Sequence, residues 1–259
     1  MLPPWPEVQR QLVAAGLDPA PREGFFLHAA ADNPTRLQEL LQRRLAGEPL
    51  AYVLGQQPFW RRDWAVNRAV LIPRPDSEVL VQAVLDCLPP DSTVRVAEVG
   101  VGSGALLGSV LLERPQLQGV GTDLVPATLA VAAENLQAAG VMGRVRLYQA
   151  DLLAGVEGPF DLMFSNPPYL SEAEYATLEP GVRDWEPKTA LVSGPTGLEA
   201  YHALLPQAYA HLVPGGWLAV EIGHTQAAAV ASLFTQQGWQ QIAVRPDLAG
   251  RDRVVMGQK

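Results

Sequence analysis

The tetrapeptide Asn166-Pro167-Pro168-Tyr169 directly follows an apolar run, Phe160 to Ser165, that has the length of a buried strand. The Asn166 side-chain oxygen can accept one hydrogen bond and the Pro167 carbonyl a second, and proline rings bring no competing N–H donor. Tyr169 adds an aromatic face. This composition predicts a site that holds a planar NH2 group. A proline-rich turn without function has the same composition, so the neighbouring strands must decide.

Holding an NH2 group from two sides has a chemical purpose, because the nitrogen lone pair of an amide or aromatic amine is delocalised. Two acceptors aimed at its hydrogens favour a pyramidal nitrogen with a localised lone pair. With a methyl donor in line, orientation supplies roughly 7–11 kcal/mol and a placed acceptor about 2–4 kcal/mol. No strong base is needed first, because the proton becomes acidic only after the nitrogen carries the methyl. The motif therefore indicates N-methyl transfer.

A glycine-rich turn, Gly100-Val101-Gly102-Ser103-Gly104, lies between a predicted strand, Val94 to Val99, and a predicted helix, Ala105 to Glu113. Glycine permits positive φ, and a helix start offers free N–H groups with positive partial charge. Such a run alone also fits a dinucleotide site or a plain tight turn. The third glycine follows the second by two residues rather than three. That spacing favours S-adenosylmethionine over NAD.

Acidic residues end the next two predicted strands. Gln118 to Thr122 runs into Asp123, whose carboxylate can accept both hydroxyls of an adenosine ribose, and Val145 to Ala150 runs into Asp151. One such acid alone is more often a surface or capping residue. Together with Asn166 they mark the carboxyl edge of one parallel sheet, which is where open α/β sheets bind ligands.

The chain resembles the bacterial protein-(glutamine-N5) methyltransferases that act on peptide chain release factors. Besides the glycine turn and Asn166 to Tyr169, the resemblance rests on Gly47 to Gly55, Ile72 to Glu78, Trp185 to Leu191, Gly215-Gly216, Glu221 to Gly223 and Asp247 to Arg253. It covers most of the chain. It implies an S-adenosylmethionine-dependent enzyme that N5-methylates the glutamine of a Gly-Gly-Gln motif, with release factors as partners.

The resemblance also implies roles for individual residues. The expected cofactor-binding residues are Gly100, Val101, Gly102, Ser103, Gly104, Asp123, Asp151, Leu152 and Asn166. Within this set, the glycines should surround the methionine part, Asp123 should hold the ribose, and Asp151 and Leu152 should border the adenine. The expected catalytic residues are Asn166, Pro167, Pro168 and Tyr169: the first two clamp the glutamine amide, and the last two shape its slot.

Four positions depart from the family pattern. Glu98 stands where Asp is usual, Val101 replaces Thr, Val125 replaces Ser, and Ser193 to Gly197 varies a Gly-Gly-x-Asp-Gly pattern. Glu98 is one methylene longer than Asp, so we expect a shifted contact near the cofactor. None of these departures removes the amide clamp.

Composition limits the class of protein. The 259 residues are 48% hydrophobic and 18% charged, enough for one large domain and one small one. No apolar window of about 18 residues suggests a membrane span, and Met1 to Glu7 lacks a signal-peptide pattern. The single cysteine, Cys87, excludes an internal disulfide and points to the cytoplasm. The four histidines show no ligand spacing, so no metal site is expected.

Charge bears on the choice of partner. Residues 1–88 carry nine Lys/Arg and ten Asp/Glu, so the remaining 171 residues hold −7 of the net charge of −8. A protein that grips nucleic acid normally presents a basic face. Direct nucleic-acid binding is therefore not expected, and we expect a monomer whose arginine pairs, Arg43-Arg44 and Arg61-Arg62, contribute either solvated faces or a docking surface for a protein.

The hydrophobic pattern predicts three regions. Residues 1–56 have helical periodicity and should form a small helical domain; 57–75 should form a β-hairpin and linker, and 76–259 an alternating α/β domain. The resemblance implies that the first recognises the protein substrate and that the last is the methyltransferase domain. We place the hairpin in Phe59 to Ile72, turning at Arg61 to Asp63 or at Asn67-Arg68. The resemblance implies that the linker borders the cofactor cleft. Asp76 or Ser77 should cap a helix that runs to Leu88.

The predicted fold class is α/β, a class I methyltransferase with a doubly wound, mostly parallel seven-stranded sheet. The last two strands, Gln240 to Arg245 and Arg253 to Gly257, are too close for a helical crossover and should form a hairpin, which puts one antiparallel strand in the sheet. Leu170 to Thr196 is a long irregular stretch, which we interpret as a substrate-covering loop.

Two other functions fit parts of the pattern. An adenine-N6 methyltransferase acting on DNA or RNA shares the Asn-Pro-Pro-Tyr clamp, but it should show a basic groove, and the acidic C-terminal part argues against one. A cofactor-binding module without activity fits the glycine turn and Asp123, and it would make Asn166 dispensable.

Overall fold

The computed structural model describes residues 2–17 and 22–259. The described part of the N-terminal segment forms α1 (Trp5–Ala14), α2 (Glu23–Ala29), α3 (Pro34–Leu45) and α4 (Leu50–Leu54). In α3, Pro34 starts the helix, the Asn33 side chain accepts from Arg36 N at 2.9 Å, and a leucine face is buried. The predicted helical content is confirmed; Met1 and residues 18–21 lie outside the described residues.

Strands β1 (Gln56–Phe59) and β2 (Arg62–Ala65) pair as an antiparallel hairpin. Trp60 and Arg61 form its turn, both at positive φ, as a two-residue turn that matches the strand twist requires. The predicted placement over Phe59 to Ile72 is wrong, because the hairpin lies earlier. The alternating apolar residues after Ala65 are buried in an irregular segment against Tyr52 rather than in a strand.

The rest of the chain alternates helices and strands. They are α5 (Glu78–Asp86), β3 (Arg95–Val99), α6 (Ala105–Glu113), β4 (Gln118–Asp123), α7 (Pro126–Ala138), β5 (Val145–Gln149), β6 (Phe160–Ser165), β7 (Leu170–Ser171), α8 (Glu172–Ala176), α9 (Pro180–Arg183), β8 (Val192–Gly194), α10 (Glu199–His211), β9 (Leu212–Glu221), α11 (Ala227–Gln236), β10 (Gln240–Pro246) and β11 (Asp252–Gln258). A 3₁₀ turn, Pro75–Ser77, precedes α5, and neither Asp76 nor Ser77 caps that helix through its side chain. Ser77 holds the predicted N-cap position of α5, but its hydroxyl does not form the expected capping hydrogen bond.

Within the described residues, seven strands form one sheet in the order β10-β11-β9-β6-β3-β4-β5. Strands β6, β3, β4 and β5 are parallel to their neighbours, and β9 is parallel to β6. Strand β11 runs antiparallel to both β9 and β10. The predicted α/β class, with a doubly wound sheet and one antiparallel strand, is confirmed.

Helices cover both faces of the sheet, which is why its central strands are apolar on both sides. One core contains Val96 and Phe164 with side chains of α5, α6 and α7. The other contains Ala97 and Met163 with side chains of α10 and α11. No helix among the described residues is both long enough and apolar enough to cross a bilayer.

The hairpin is fixed to the sheet region through Trp64. This side chain is buried, and its Nε1 donates to the Phe59 carbonyl at 3.0 Å. On α6, a Cβ added at Gly108 would lie 2.3 Å from the Trp64 ring, so only glycine permits this approach. On α7, Asn135 accepts from Ala65 N at 2.8 Å and donates to Ala65 O at 2.9 Å. The hairpin is therefore packed against α6 and α7.

The segment from Leu170 to Thr196 is not irregular, contrary to the prediction. It contains α8, α9 and the parallel pair β7 and β8. Ser171 and Glu174 form a capping box at the start of α8. The helices and strands in this segment have only two to five residues, and prolines interrupt the sequence between them. Hydrophobic periodicity therefore does not reveal them.

Candidate active site

Three neighbouring strands deliver the predicted site residues to one edge of the sheet. Strand β3 lies between β6 and β4 and is parallel to both. The glycine turn follows β3, Asp123 ends β4, and Asn166 follows β6. This edge is where the predicted amide clamp and the predicted ribose carboxylate come together.

A cavity of about 570 Å³ opens over these strand ends. Ten of the predicted site residues line it: Gly100, Val101, Gly102, Ser103, Asp123, Asp151, Leu152, Asn166, Pro167 and Pro168. The other two predicted site residues, Gly104 and Tyr169, do not line the cavity. Gly104 instead packs α6 against α7, since a Cβ at this position would lie 3.3 Å from Ala132.

The glycine turn presents bare backbone to the cavity. Gly100 and Gly102 have φ of 74° and 53°, and an added Cβ at either position would meet nothing within 4 Å. Val101 N donates to the Thr122 carbonyl at 2.7 Å, which ties the turn to β4. A ligand can therefore approach this backbone closely.

Asp123 is oriented by backbone donors on both of its oxygens. Gly102 N donates to Oδ2 at 3.2 Å, and Val125 N donates to Oδ1 at 3.0 Å. Burial raises the pKa of Asp123, and these backbone hydrogen bonds oppose that rise. Each carboxylate oxygen keeps a further lone pair for a ligand hydroxyl.

Glu98 lies beneath the same cavity and is fully buried on β3. Leu107 N, in the first turn of α6, donates to its Oε2 at 2.8 Å. Burial raises the pKa of Glu98 well above its usual value, and the charge of Asp123 raises it further. Burial and the neighbouring charge of Asp123 therefore both disfavour ionisation of Glu98.

Asp151 and Leu152 form the far rim of the cavity, after β5. Asp151 is exposed, while Leu152 is half-buried and has a positive φ of 53°. This left-handed backbone conformation is strained for a residue with a branched side chain. The conformation places Leu152 on the cavity wall, where it offers an apolar surface.

Asn166 is held by the start of α5. Its Nδ2 donates to the Ser77 hydroxyl at 3.2 Å, across 89 residues of sequence. Directly before it, Ser165 Oγ donates to the Val99 carbonyl at 2.6 Å and fixes β6 to β3. Because Nδ2 is engaged by Ser77, Oδ1 is the arm of the amide that remains to accept a hydrogen bond, and Asn166 lines the cavity.

Tyr169 packs behind the clamp. Its side chain contacts the apolar core beneath β6 and β9, and its carbonyl accepts from Gln226 Nε2 at 2.9 Å. Burial and the charge of Glu221 raise the pKa of Tyr169 to about 12, so the phenol stays neutral. The ring is therefore part of the core beneath the site rather than of the cavity wall.

The linker forms the wall opposite β4, as expected from the resemblance. Pro73, Arg74 and Ser77 line the cavity, and Arg74 pairs with the buried Glu186. Glu186 also accepts from Ile72 N at 3.1 Å. The segment after β6 is therefore fastened to the linker across the mouth of the cleft.

Sequence reasoning missed the partnership of Ser77 with Asn166, and it gave Glu221 no role. Both residues stand in segments that carry the family resemblance, Ile72 to Glu78 and Glu221 to Gly223. Each is only 1% exposed. A polar residue in an otherwise apolar strand, as Glu221 is in β9, is the signal that could have drawn attention to it.

Comparisons with known proteins agree with this geometry. The family described as "Methyltransferase small domain" matches residues 77–179. A release factor glutamine methyltransferase of Cereibacter sphaeroides is 43% identical, over 95% of this chain and 93% of its own length. One of Moorella thermoacetica is 44% identical, over 86% of this chain and 80% of its own.

Solved structures support the fold alone. A methyltransferase from Pyrococcus furiosus superimposes with a TM-score of 0.58 at 18% identity, covering 86% of this chain and 98% of that one. The sequence relatives, with 43% and 44% identity over most of this chain, also show its family. The chain belongs to the release factor glutamine methyltransferase family.

Proposed function

We propose that this protein transfers a methyl group from S-adenosylmethionine to the side-chain amide nitrogen of the glutamine in the Gly-Gly-Gln motif of peptide chain release factors. The observation that carries the proposal is the orientation of Asn166. Its Nδ2 is engaged by Ser77, which leaves Oδ1 as an acceptor at the cavity, directly before the Pro167 carbonyl.

The cavity suits the proposed cofactor. Gly100 and Gly102 give space for close backbone approach, and Asp123 keeps lone pairs for two ribose hydroxyls. Thr122 lines the same cavity with a buried hydroxyl that has no partner among the described residues. When bound, S-adenosylmethionine supplies an electrophilic methyl group on a positively charged sulfur.

The chain's own contribution is to hold the amide in place. Asn166 Oδ1 and the Pro167 carbonyl accept the two amide hydrogens and favour a nitrogen whose lone pair points at the methyl group. Each placed acceptor is worth about 2–4 kcal/mol of barrier, and orientation supplies the larger share, roughly 7–11 kcal/mol. The proton leaves after transfer, so the site needs no strong base.

The remaining parts of the proposal concern partner and place. The helical segment α1 to α4 recognises the protein substrate. The enzyme acts as a monomer in the cytoplasm and does not bind nucleic acid directly. The charge of −7 over residues 89–259 supports a protein substrate over DNA or RNA. It also weighs against adenine-N6 methylation.

Mass analysis of a purified release factor, incubated with this protein and S-adenosylmethionine, tests the function. We expect one added methyl group, mapped to the Gly-Gly-Gln glutamine, and none when that glutamine is alanine. An adenine-containing oligonucleotide serves as the second control. Methyl on the oligonucleotide, or no transfer to the release factor, would overturn the proposal.

A further inference from the structure

A buried carboxyl group lies directly behind the amide clamp. Glu221 is the last residue of β9, beside β6, where Val220 pairs with Ser165. It is only 1% exposed and does not line the cavity. Its Oε2 has no hydrogen-bond partner among the described residues. A buried acid in this state is costly, which suggests a function rather than a contribution to packing.

Hydrogen bonds connect this carboxyl group to Asn166. Asn166 Nδ2 donates to Ser77 Oγ at 3.2 Å. Ser77 and Asn166 also lie beside the Glu221 carboxyl, and their polar side chains lower its pKa against the larger effect of burial. The Ser77 hydroxyl has a single proton. When it donates that proton to Glu221, its oxygen can only accept from Nδ2, so the chain of hydrogen bonds has one direction.

The direction matters because the two arms of an asparagine amide are nearly the same size. An ionised carboxylate accepts hydrogen bonds and cannot donate them, so it holds Nδ2 inward and leaves Oδ1 outward. A neutral carboxyl group, or a glutamine at this position, can donate to Oδ1. The amide can then turn over and present its own NH2 to the NH2 of the substrate, donor against donor.

We propose that Glu221 is a positioning residue that, through Ser77, holds Asn166 in the orientation that accepts the substrate amide. The inference deepens the proposed function and rests on it for the identity of the substrate. Glu221 does not touch the reacting atoms. It acts by fixing which side of the Asn166 amide faces the cleft.

The surroundings of Glu221 make its charge sensitive to pH. Burial raises its pKa to about 7, Arg253 from β11 lowers it, and Asp76 raises it. The nearby phenols of Tyr169 and Tyr201 have raised pKa values and stay neutral below pH 9. Both forms of the carboxyl group are therefore populated near neutral pH.

Single-turnover methyl transfer by Glu221→Gln, measured from pH 6 to 8.5, tests this role. We expect the wild-type rate to rise several-fold through pH 7. The variant should be slower at pH 8 by roughly 10- to 100-fold, less than the 10²–10³ lost when an oxyanion donor is removed outright. Its pH profile should be nearly flat, and its affinity for S-adenosylmethionine should stay close to that of the wild type.

The matched control is Glu134→Gln, the same chemical change at an exposed position on α7, which should keep the wild-type rate and pH profile. Glu98 and Asp123 also have raised pKa values and line the cavity. Only a pH response that disappears in Glu221→Gln therefore supports the proposal. A variant with the wild-type rate, or a slower one that keeps the wild-type pH response, would overturn it.

A second measurement needs no substrate. The side-chain NH2 signals of Asn166 in ¹⁵N NMR spectra should shift with pH in the wild type, with a midpoint near 7, and should not do so in Glu221→Gln. A wild-type signal that does not titrate contradicts the role of Glu221. If the signal titrates while no methyl reaches a release factor, the proposed substrate is wrong and the positioning role stands.

A third variant covers the case in which Glu221→Gln does not fold. Ser77→Ala removes the hydroxyl link and keeps the carboxylate. We expect a several-fold slower transfer and displaced Asn166 signals that still titrate, because Asn166 retains its direct contact with Glu221. Unchanged rate and unchanged Asn166 signals would contradict the proposal.

Discussion

Three carboxyl groups near the cleft have pKa values raised by burial: Glu98, Asp123 and Glu221. In each case desolvation is the largest cause, and hydrogen bonds offset only part of it. Ionising these groups therefore costs folding free energy. A protein selected for stability alone would have no reason to keep them, so they indicate where function outweighs stability.

Glu221 allows this cost to be measured. Its pKa of about 7 in the folded protein lies above the usual glutamate value of 4.5, so the folded state binds more protons than the unfolded state between these values. The stability of the wild type should therefore fall as pH rises from about 4.5 through 7. Glu221→Gln cannot ionise, so its advantage over the wild type should grow by roughly 3 kcal/mol between pH 4.5 and 8.

Urea denaturation of both proteins at pH 5 and pH 8 provides the measurement, with Glu134→Gln as the exposed control. An identical pH dependence in the wild type and in Glu221→Gln would show that the carboxyl group does not titrate as described.

The sequence predicts the place of some site residues and not of others. Asn166, Asp123 and the glycines could be placed because each follows its own strand in a recognisable local pattern. The link between Ser77 and Asn166 could not, because 89 residues separate them and the local sequence around Ser77 reads as a helix cap. Glu221 is connected to the site by tertiary packing alone.

Elements determine how firmly the residues of the cleft are held. The hairpin β1–β2 is fastened to α6 and α7 by Trp64 and Asn135, and the linker that leaves it forms one wall of the cleft. The segment after β6 is fastened to the same linker through Glu186. Movement of the hairpin would therefore disturb the cleft wall.

Gly108→Ala tests the attachment of the hairpin to α6. The added Cβ would lie 2.3 Å from the ring of Trp64, which is buried and cannot move aside. Alanine favours the helix by about 1 kcal/mol, but the clash should dominate and destabilise the fold by roughly 1–3 kcal/mol net.

Gly143→Ala is the matched control, because an added Cβ there meets nothing within 4 Å. Its stability in chemical denaturation should stay within about 0.5 kcal/mol of the wild type. If Gly108→Ala were equally harmless, the hairpin would not pack on α6 as described.

Among the helices and strands, the long ones with periodic apolar residues were predictable from the sequence and the short ones were not. The sheet strands and α6, α7, α10 and α11 follow from apolar runs between turn signals. The hairpin was misplaced because the residues between Val66 and Ile72 alternate in polarity while packing against Tyr52 in an irregular segment. The helices α8 and α9 are too short for periodicity to mark them.

The whole molecule combines a sheet architecture shared with other methyltransferases and cavity walls built by the linker and the segment after β6. The sheet brings the glycine turn, Asp123 and Asn166 to one edge. The linker and the segment around Glu186 then close the cavity on the side of Asn166. The charge of −7 over residues 89–259 supports the proposed protein substrate.

In the proposed function, Asn166 orients the substrate amide for methyl transfer, and Gly100, Gly102 and Asp123 supply most of the contacts that hold the cofactor. Single-turnover transfer by Asn166→Ala, alongside equilibrium dialysis of S-adenosylmethionine, tests it most directly. We expect transfer to fall by about 100-fold or more while cofactor affinity stays within about threefold. Transfer close to the wild-type rate, or a loss of cofactor binding that accounts for the loss of rate, would contradict it.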